Sequence, residues 1–428
     1  MAIVGAGYTG LWTAYYLKLA EPSLRIVVLE REMAGFGASG RNGGWVTGFF
    51  SGPPRLYEGR GGRDGFVALQ RAMFATVDEV GRVLERHRID ADFIKGGQLR
   101  VALNGAQAVR LRERVNRARE LGLGERDLRA LDATELEQRV RVAGARCATF
   151  SPHAARIHPG KLLGGLAGVV QDLGVWIHED TPVTEVRPHE ALTPAGRVRA
   201  RWVVRATEGY TAGLRGLERA LVPINSSMII TAPLAPSAWR RIGWQGGEVL
   251  GDGAHVYVYL QRTDDGRIAI GGRGVPYRLG SRTGGAGDTA PATVASLRER
   301  LVAMFPAAAR VEIDHAWSGV LGVSRDWGVS VDAHPALGLA WAGGYVGEGV
   351  AAANLAGRTL RDLLLARPSS LTQLPWVGRR PRRWEPEPLR WAGIRATYAL
   401  YRRADRREGR SGRPSRLARC VDAATGRR

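Results

Sequence analysis

The first thirty residues constrain the fold of this chain more than any other stretch. A short apolar run leads into the turn Gly5-Ala6-Gly7-Tyr8-Thr9-Gly10, which is followed by a helical segment and a second apolar run ending at Glu30. Gly5 allows a tight turn, Gly7 lets the backbone approach a pyrophosphate, and Gly10 allows the helix to pack closely on the strands. The spacing predicts a strand–turn–helix–strand unit that binds a dinucleotide, with Glu30 accepting hydrogen bonds from a ribose.

A second glycine-rich segment follows Glu30 and shows no apolar periodicity. It reads Ala34-Gly35-Phe36-Gly37-Ala38-Ser39-Gly40-Arg41-Asn42-Gly43-Gly44. Its glycines expose backbone N–H groups, and Ser39, Arg41 and Asn42 add side-chain donors. We therefore expect a loop that lies against a second phosphate and the polar edge of a ring. The alternative is a flexible surface loop.

The two segments Gly5–Gly10 and Ala38–Gly44 together resemble those of the FAD-dependent amine and D-amino-acid oxidase family, in particular its gamma-glutamylputrescine oxidoreductase-like branch. The resemblance continues to about residue 366. It implies an α/β fold, α+β overall, with a Rossmann-like FAD-binding domain and a second, mainly antiparallel β-sheet substrate domain. It also implies an enzyme that oxidises a C–N bond of an amine or amino acid by hydride transfer to flavin N5, after which the imine is hydrolysed. A gamma-glutamyl amine or an amino acid is the implied substrate.

The resemblance assigns cofactor contacts to the glycine segments, to two strand ends and to a third glycine turn between Gly343 and Val350. The predicted residues are Gly5, Gly7, Tyr8, Thr9, Gly10, Glu30, Arg31, Ser39, Gly40, Arg41, Asn42, Gly43, Gly44, Val183, Ala206, Thr207, Gly344, Gly347, Glu348, Gly349 and Val350. The third turn opens a helix whose N-terminus would point at the flavin N1 and C2 carbonyl. Because the loop from Ser39 to Gly44 contains no His or Cys, we expect the FAD to be bound noncovalently.

Two acidic residues depart from the pattern of the family. Glu208 follows Ala-Thr, where the family usually carries Gly or Asn. Glu348 stands where many relatives carry His. An acidic residue in the first turn of a helix is favoured by the dipole, so Glu348 is either a cap facing solvent or a carboxylate opposing the negative charge of reduced flavin.

Candidate substrate residues lie in the predicted antiparallel sheet. Arg273 ends a strand between glycines, where a guanidinium can grip a carboxylate through two parallel N–H bonds. The hydroxyls of Tyr257 and Tyr259 on the adjacent strand are expected to share this task, with at most one of them facing the pocket. The alternative for Arg273 is a structural salt bridge.

Hydride removal by a flavin needs no dedicated protein base, which makes a catalytic acid–base residue difficult to name. His153, His158 and His334 are the candidates for assisting deprotonation of the amine, and His334 precedes a proline, which favours a structural role.

The net charge of +21 is carried almost wholly by arginine, and residues 379–428 hold sixteen arginines against five acidic residues. We interpret this bias as coding composition rather than as a nucleic-acid site. Cys147 and Cys420 form no metal-binding or disulfide pattern, and no apolar run is long enough to span a bilayer. We expect a cytoplasmic protein without a bound metal.

The chain is long enough for two or three domains. We predict that the FAD-binding domain comprises residues 1–90, 151–215 and 319–366, and that the substrate domain comprises residues 91–150 and 216–318. Residues 367–428 form a basic C-terminal extension, whose residues from Gly409 onward are expected to be disordered.

Two other functions fit part of the sequence. A nicotinamide-dependent dehydrogenase would explain Gly5 to Glu30 equally well, but it would leave the loop from Ser39 to Gly44 and the turn at Gly347 unexplained. A non-catalytic binding protein would show neither flavin nor turnover. The sequence names neither the amine nor the electron acceptor, which is oxygen or another oxidant.

Overall fold

Helices and strands alternate along most of the chain. The structure, a computed structural model, describes residues 1–59, 61–283 and 287–425. The strands are β1 (Ala2–Val4), β2 (Val27–Leu29), β3 (Trp45–Thr47), β4 (Gln98–Ala102), β5 (Arg129–Leu131), β6 (Cys147–Ser151), β7 (Ala154–Arg156), β8 (Trp176–His178), β9 (Glu185–Arg187), β10 (Glu190–Thr193), β11 (Gly196–Arg199), β12 (Val203–Arg205), β13 (Val222–Thr231), β14 (Val249–Asp252), β15 (Tyr259–Arg262), β16 (Ile268–Gly272), β17 (Ile313–Val323), β18 (Ser330–His334) and β19 (Leu339–Gly343). The helices are α1 (Tyr8–Ala20), α2 (Ala38–Arg41), α3 (Gly62–Arg86), α4 (Gly105–Glu120), α5 (Ala133–Glu137), α6 (Pro159–Asp172), α7 (Pro236–Ile242), α8 (Pro291–Met304), α9 (Gly349–Leu364), α10 (Leu389–Ser411) and α11 (Arg416–Thr425).

The first sheet has the strand order β18–β19–β12–β1–β2–β8, and all its pairs are parallel except β18 with β19. Strand residues alternate between its faces. Ile3 packs into the core formed with α1, α6 and α9, whereas Ala2 and Val4 pack on the other side, where the three-stranded sheet β9–β10–β11 covers them. The predicted Rossmann-like architecture is confirmed.

Helix α1 is buried along almost its whole length and packs against α9. The two helices approach closely at Gly357, where a Cβ atom would lie 2.9 Å from the backbone carbonyl carbon of Trp12. Glycine at this position therefore lets α9 lie directly on α1 and brings the start of α9 next to the first glycine turn.

The second sheet has the order β17–β13–β16–β15–β14–β4–β6–β5 and is antiparallel except for β4 with β14. Side chains of α8, including Leu297 and Leu301, pack on Ile229 and Ile270 of this sheet. The prediction of a second, mainly antiparallel sheet is confirmed. Segments that contribute strands to the two sheets alternate along the chain.

Two loops differ in detail from the sequence-based expectation. The segment Ala34–Gly44 contains the short helix α2, although it has no apolar periodicity. The predicted loop from Gly280 to Pro291 includes residues 284–286, which lie outside the described residues, and Pro291 begins α8.

The C-terminal extension packs on the protein body. Tyr398 and Tyr401 of α10 are buried together with Ala418 and Val421 of α11, and the Tyr401 hydroxyl donates to Asp422 Oδ1 at 2.6 Å. The expectation of disorder from Gly409 onward is therefore wrong for residues 409–425. Helix α11 docks through two small apolar side chains, Ala418 and Val421, and one buried acid, Asp422. Three such residues are too few to predict a docked helix from the sequence.

Truncation of residues 409–428 is expected to lower the melting temperature, contrary to what disorder would imply. It removes α11, uncovers the apolar side chains beneath it and removes the Asp422 carboxylate that accepts from Tyr401. Tyr401→Phe should cost about 1–3 kcal/mol, the value of one hydrogen bond to a charged group, and the truncation should cost more. Thermal unfolding followed by circular dichroism measures both, and an unchanged melting temperature in the truncated protein would contradict the docking of α11.

In the part of the chain that the structure describes, no helix is both long and apolar enough to cross a bilayer.

Candidate cofactor and substrate site

A cleft in the nucleotide-binding half, which we call the dinucleotide cavity, lies where β1, β2 and β12 end. It is lined by residues that follow these strands, by the second glycine segment and by the start of α9, and it spans about 1240 Å³ when its open mouth is included. Ligands of open α/β sheets bind at the carboxyl ends of the strands, so the position fits a dinucleotide.

Most predicted cofactor residues come together here. Those lining the dinucleotide cavity are Gly5, Gly7, Tyr8, Thr9, Glu30, Arg31, Ser39, Asn42, Val183, Ala206, Thr207, Gly347, Gly349 and Val350. Arg41, Gly43 and Glu348 line an adjoining cavity instead. Gly10, Gly40, Gly44 and Gly344 line neither cavity and belong to the turns that carry the lining residues.

The two glycine segments are tied together at Ser39. Its hydroxyl accepts the Tyr8 N–H at 2.9 Å, and a Cβ at Gly7 would lie 2.9 Å from the same oxygen. A Cβ at Gly10 would overlap the carbonyl oxygen of Gly5. The first turn therefore has no room for side chains at Gly7 or Gly10.

The Glu30 side chain lies beside the first glycine turn and lines the dinucleotide cavity. Its carboxylate accepts the N–H groups of Ala6 at 2.7 Å and Glu32 at 3.1 Å. Burial raises the pKa of Glu30, and these backbone hydrogen bonds oppose the shift. The carboxylate thus fixes the first turn as well as facing the cavity.

Two long helices begin at the dinucleotide cavity without a side-chain cap. Helix α1 begins after Gly7 and α9 begins after Glu348. Their first N–H groups and positive dipole ends favour anionic groups, which fits the phosphates and the redox-active ring of a flavin dinucleotide. The hydroxyl groups of Thr9 and Tyr345 are 3.0 Å apart and link the two helix starts.

Glu208 was not predicted as a site residue, yet it organises the third glycine turn. Its carboxylate accepts the N–H groups of Gly344 at 3.1 Å and Tyr345 at 2.9 Å, and it lines the dinucleotide cavity. A Cβ at Gly322 would overlap this carboxylate. Only its departure from the Gly or Asn of the family pointed to Glu208.

The stability of the protein should depend on pH through Glu208. Burial raises the pKa of Glu208 to about 7 from an ordinary value of 4.5, and its two backbone hydrogen bonds limit the shift. Between pH 4.5 and 7 the Glu208 carboxyl is protonated in the folded protein but ionised in the unfolded protein. Its contribution to the free energy of unfolding therefore falls as the pH rises from 4.5 to 7, and it is constant above pH 7. The melting temperature of the wild type relative to Glu208→Gln should therefore fall across this window; a difference independent of pH would refute the assignment.

A second cavity, which we call the central cavity, adjoins the first and shares Asn42, Gly347 and Val350 with it. It lies between the second glycine segment and the antiparallel sheet. The further polar and aromatic side chains that line it are Arg41, Trp45, Ser226, Tyr257, Tyr259, Arg273 and Glu348. The antiparallel sheet thus forms one wall of a cavity that adjoins the dinucleotide cavity.

Both candidate tyrosines line the central cavity, so the expectation that at most one of them faces it is wrong. The strand β15 begins only at Tyr259, and Tyr257 lies in the preceding loop, yet both line the same cavity, as residues two apart do on a regular strand. Their rings are 6.4 Å apart. The Tyr259 hydroxyl lies 2.8 Å from Ser226 Oγ, and burial raises its pKa.

Arg273 projects between the central cavity and a third cavity, which we call the outer cavity. Its Nη2 donates to the Val346 carbonyl at 3.4 Å, whereas its Nη1 is buried without a hydrogen-bond partner. Among the described residues no carboxylate oxygen lies within the 4.0 Å of a salt bridge. The geometry therefore disfavours the structural salt bridge and leaves a donor directed at the cavities.

Glu348 lines both the central and the outer cavity. It makes no side-chain cap hydrogen bond to α9. Burial raises its pKa, and the positive charges of Arg100, Arg114 and Arg273 oppose this shift. Glu348 is therefore a cavity residue and not a solvent-facing cap.

Helix α10 closes the outer cavity from the C-terminal side. Tyr398 lines the cavity, and Arg402 donates to the Gly274 carbonyl at 2.6 Å. The Asp405 carboxylate accepts the N–H groups of His255 at 2.8 Å and Val256 at 2.9 Å. One face of α10 thus holds the two loops that carry Arg273 and Tyr257.

The three candidate histidines lie away from these cavities, which corrects the expectation for His153. Its ring stacks on Phe74 at 3.8 Å, and its Nε2 lies 3.0 Å from Asp127 Oδ1. His158 caps α6, and His334 lies 3.4 Å from Asp332. Their contacts are structural.

The glycine turns and the paired sheets agree with comparisons to known proteins. A family model for FAD-dependent oxidoreductases, the DAO family, matches residues 1–363. Gamma-glutamylputrescine oxidoreductase of Escherichia coli is 31% identical over 377 residues, covering 85% of this chain and 83% of that protein. A probable oxidoreductase, OrdL, of Haemophilus influenzae is 28% identical over 379 residues, covering 85% and 82%.

The fold agrees as well. The crystal structure of glycine oxidase from Geobacillus kaustophilus superimposes with a TM-score of 0.72 at 21% identity, covering 88% of this chain and 97% of that one. Since the family model spans most of the chain and the identity to the Escherichia coli protein holds across most of both sequences, this chain belongs to the DAO family of FAD-dependent oxidoreductases.

Proposed function

We propose that the dinucleotide cavity binds FAD noncovalently. The uncapped starts of α1 and α9, together with Ser39 and Glu30, supply donors and acceptors for the phosphates and the ribose. Among the described residues, no Cys or His lines the dinucleotide or the central cavity. Cys147 and Cys420 lie on β6 and α11, so neither is placed to form a covalent link. Denaturation should release the flavin.

The proposed reaction is oxidation of a C–N bond of an amine or amino acid that carries a carboxylate. Bound FAD accepts the hydride in this chemistry. Arg273 carries the proposal, because its buried Nη1 lacks a partner and faces cavities that adjoin the cofactor cleft. We infer that Arg273 binds the substrate carboxylate, and that the hydroxyls of Tyr257 and Tyr259 help to orient it.

The relatives are consistent with this class. The Escherichia coli relative is named for a gamma-glutamyl amine, and the structural neighbour from Geobacillus kaustophilus is named for glycine. Both substrates combine an amine with a carboxylate. We therefore propose amino acids or gamma-glutamyl amines as substrates, rather than simple alkylamines.

The lining of the central cavity limits which groups can take a proton from the substrate amine. Among the described residues its lining contains no His or Lys, and Glu348 is its only carboxylate. The protein's task is therefore to position the substrate and exclude water, and the amine enters neutral or passes its proton to Glu348 or solvent.

The visible spectrum of the purified protein, followed by an anaerobic screen of amino acids and amines for flavin bleaching, tests the proposal. Flavin absorbance that carboxylate-bearing amines bleach supports it. A colourless protein that binds a nicotinamide dinucleotide would favour a dehydrogenase instead. Reoxidation by air, compared with reoxidation by an artificial dye, identifies the acceptor class.

Glu348→Gln is expected to raise the midpoint potential of the bound flavin. The wild-type carboxylate lies at the start of α9 and faces the central cavity, so its negative charge opposes the charge that the flavin gains on reduction. Spectroelectrochemical titration measures the shift. Equal potentials in the two proteins would mean that the surrounding arginines neutralise Glu348 fully.

A further inference from the structure

The outer cavity continues into a fourth cavity next to α4, which we call the basic cavity. Arg100 lines both cavities, so they meet at its side chain. The basic cavity is also lined by three arginines of α4, namely Arg110, Arg114 and Arg117. A path lined by guanidinium groups therefore leads from Arg273 past Arg100 to α4.

Two of these arginines have no ion-pair partner among the residues that the structure describes, although buried cations are normally paired. Arg100 Nε is buried without a hydrogen-bond partner, and its guanidinium stacks over Tyr257 at 5.1 Å. The Arg114 guanidinium lies 4.5 Å above the Phe49 ring, and burial together with the charge of Arg100 lowers its pKa to about 9. Arg110 differs, because it pairs with Glu408 at 2.6 Å.

The acids near the path do not neutralise it. Asp252 and Glu113 both line the basic cavity, but Asp252 pairs with Arg300 and Glu113 is an exposed residue of α4. Glu348 is the carboxylate whose charge acts on Arg100, Arg114 and Arg273 together. Arg100, Arg114 and Arg273 together carry three positive charges, and the Glu348 carboxylate balances one of them. Two positive charges therefore remain for a ligand.

We propose that Arg100 and Arg114 form a distal subsite for a second carboxylate, so that the substrate is an amino dicarboxylate held between this subsite and Arg273. The inference rests on the proposed function, since it places the first carboxylate at Arg273. A dicarboxylate with a neutral amine brings two negative charges, which balance the two uncompensated guanidinium groups.

Calorimetric titration of the holoenzyme with butyrate, succinate, glutarate and adipate tests the subsite without turnover. In the wild type at least one dicarboxylate should bind about 10- to 100-fold more tightly than butyrate, the factor that hydrogen bonds to a charged group provide. Arg114→Met should remove this advantage and leave butyrate binding unchanged. Arg112→Met, an equal change of charge at an exposed position of α4, should keep it.

Each result that departs from these expectations contradicts a different part of the proposal. Equal affinity for butyrate and all three dicarboxylates would overturn the distal subsite and leave the Arg273 clamp standing. Equal losses in the Arg114 and Arg112 variants would overturn it in favour of general electrostatic attraction. No binding of any carboxylate would contradict the clamp and the subsite together. If Arg114→Met does not fold, Arg100→Met provides the same comparison.

Discussion

Replacing Gly7 with valine is expected to give a folded protein that does not retain FAD. A Cβ at this position would already lie 2.9 Å from Ser39 Oγ, and the two methyl groups of valine would occupy the space through which the backbone approaches the pyrophosphate. Overpacking alone costs about 1–3 kcal/mol, and the lost phosphate contacts add to it, so FAD should bind about 100-fold more weakly or worse. Flavin absorbance per protein after gel filtration measures the effect.

The matched control is Gly164→Val. Gly164 lies exposed on α6, and a Cβ there meets nothing within 4 Å. Its flavin content should equal that of the wild type, and far-ultraviolet circular dichroism should show both variants folded. Normal flavin content in a folded Gly7→Val protein would remove the basis for placing the pyrophosphate at the first glycine turn.

Arg273→Ala is expected to lower kcat/KM toward carboxylate-bearing amines by about 2–5 kcal/mol. This is the cost of removing one partner of a desolvated charge pair. Arg273 has one buried donor without a partner and a long hydrogen bond to the Val346 carbonyl, so its guanidinium is available to a ligand. Steady-state kinetics with an amino acid and with a carboxylate-free amine measure the effect.

Two comparisons separate a clamp from a structural role. Arg282→Ala, a change at an exposed position in the same loop region, should leave kcat/KM unchanged. With Arg273→Ala, an equal loss toward the carboxylate-free amine would indicate damage to the fold. Unchanged kinetics toward both substrates would exclude Arg273 from the site.

The elements that the sequence predicted well are those whose requirements are local. The first turn needs glycine at Gly7 because the backbone there approaches its neighbours, and that requirement is visible in the spacing alone. Helix α3 has the same local character, because its apolar residues recur at spacings of three and four and are buried: Phe66, Leu69, Met73, Val77, Val80 and Leu84. The presence of a nucleotide-binding sheet and of a second, mainly antiparallel sheet could therefore be predicted from such local patterns and the family resemblance, whereas the strand orders could not.

What the sequence did not show depends on contacts between distant residues. Glu208 acts by accepting hydrogen bonds from a turn 136 residues further along the chain, which no spacing rule detects. Tyr257 lines the central cavity from the loop before β15, which begins only at Tyr259, and no pattern in the sequence marks that boundary. That the buried Nε of Arg100 has no hydrogen-bond partner among the described residues could be seen only in the structure, because it depends on which residues surround it.

The docking of α10 implies an order of events during synthesis. The core that carries the dinucleotide cavity ends at Val377, whereas the wall of the outer cavity also needs Tyr398, Arg402 and Asp405. Because chains fold from the N-terminal side as they leave the ribosome, a nascent chain can capture its cofactor before it can discriminate among substrates.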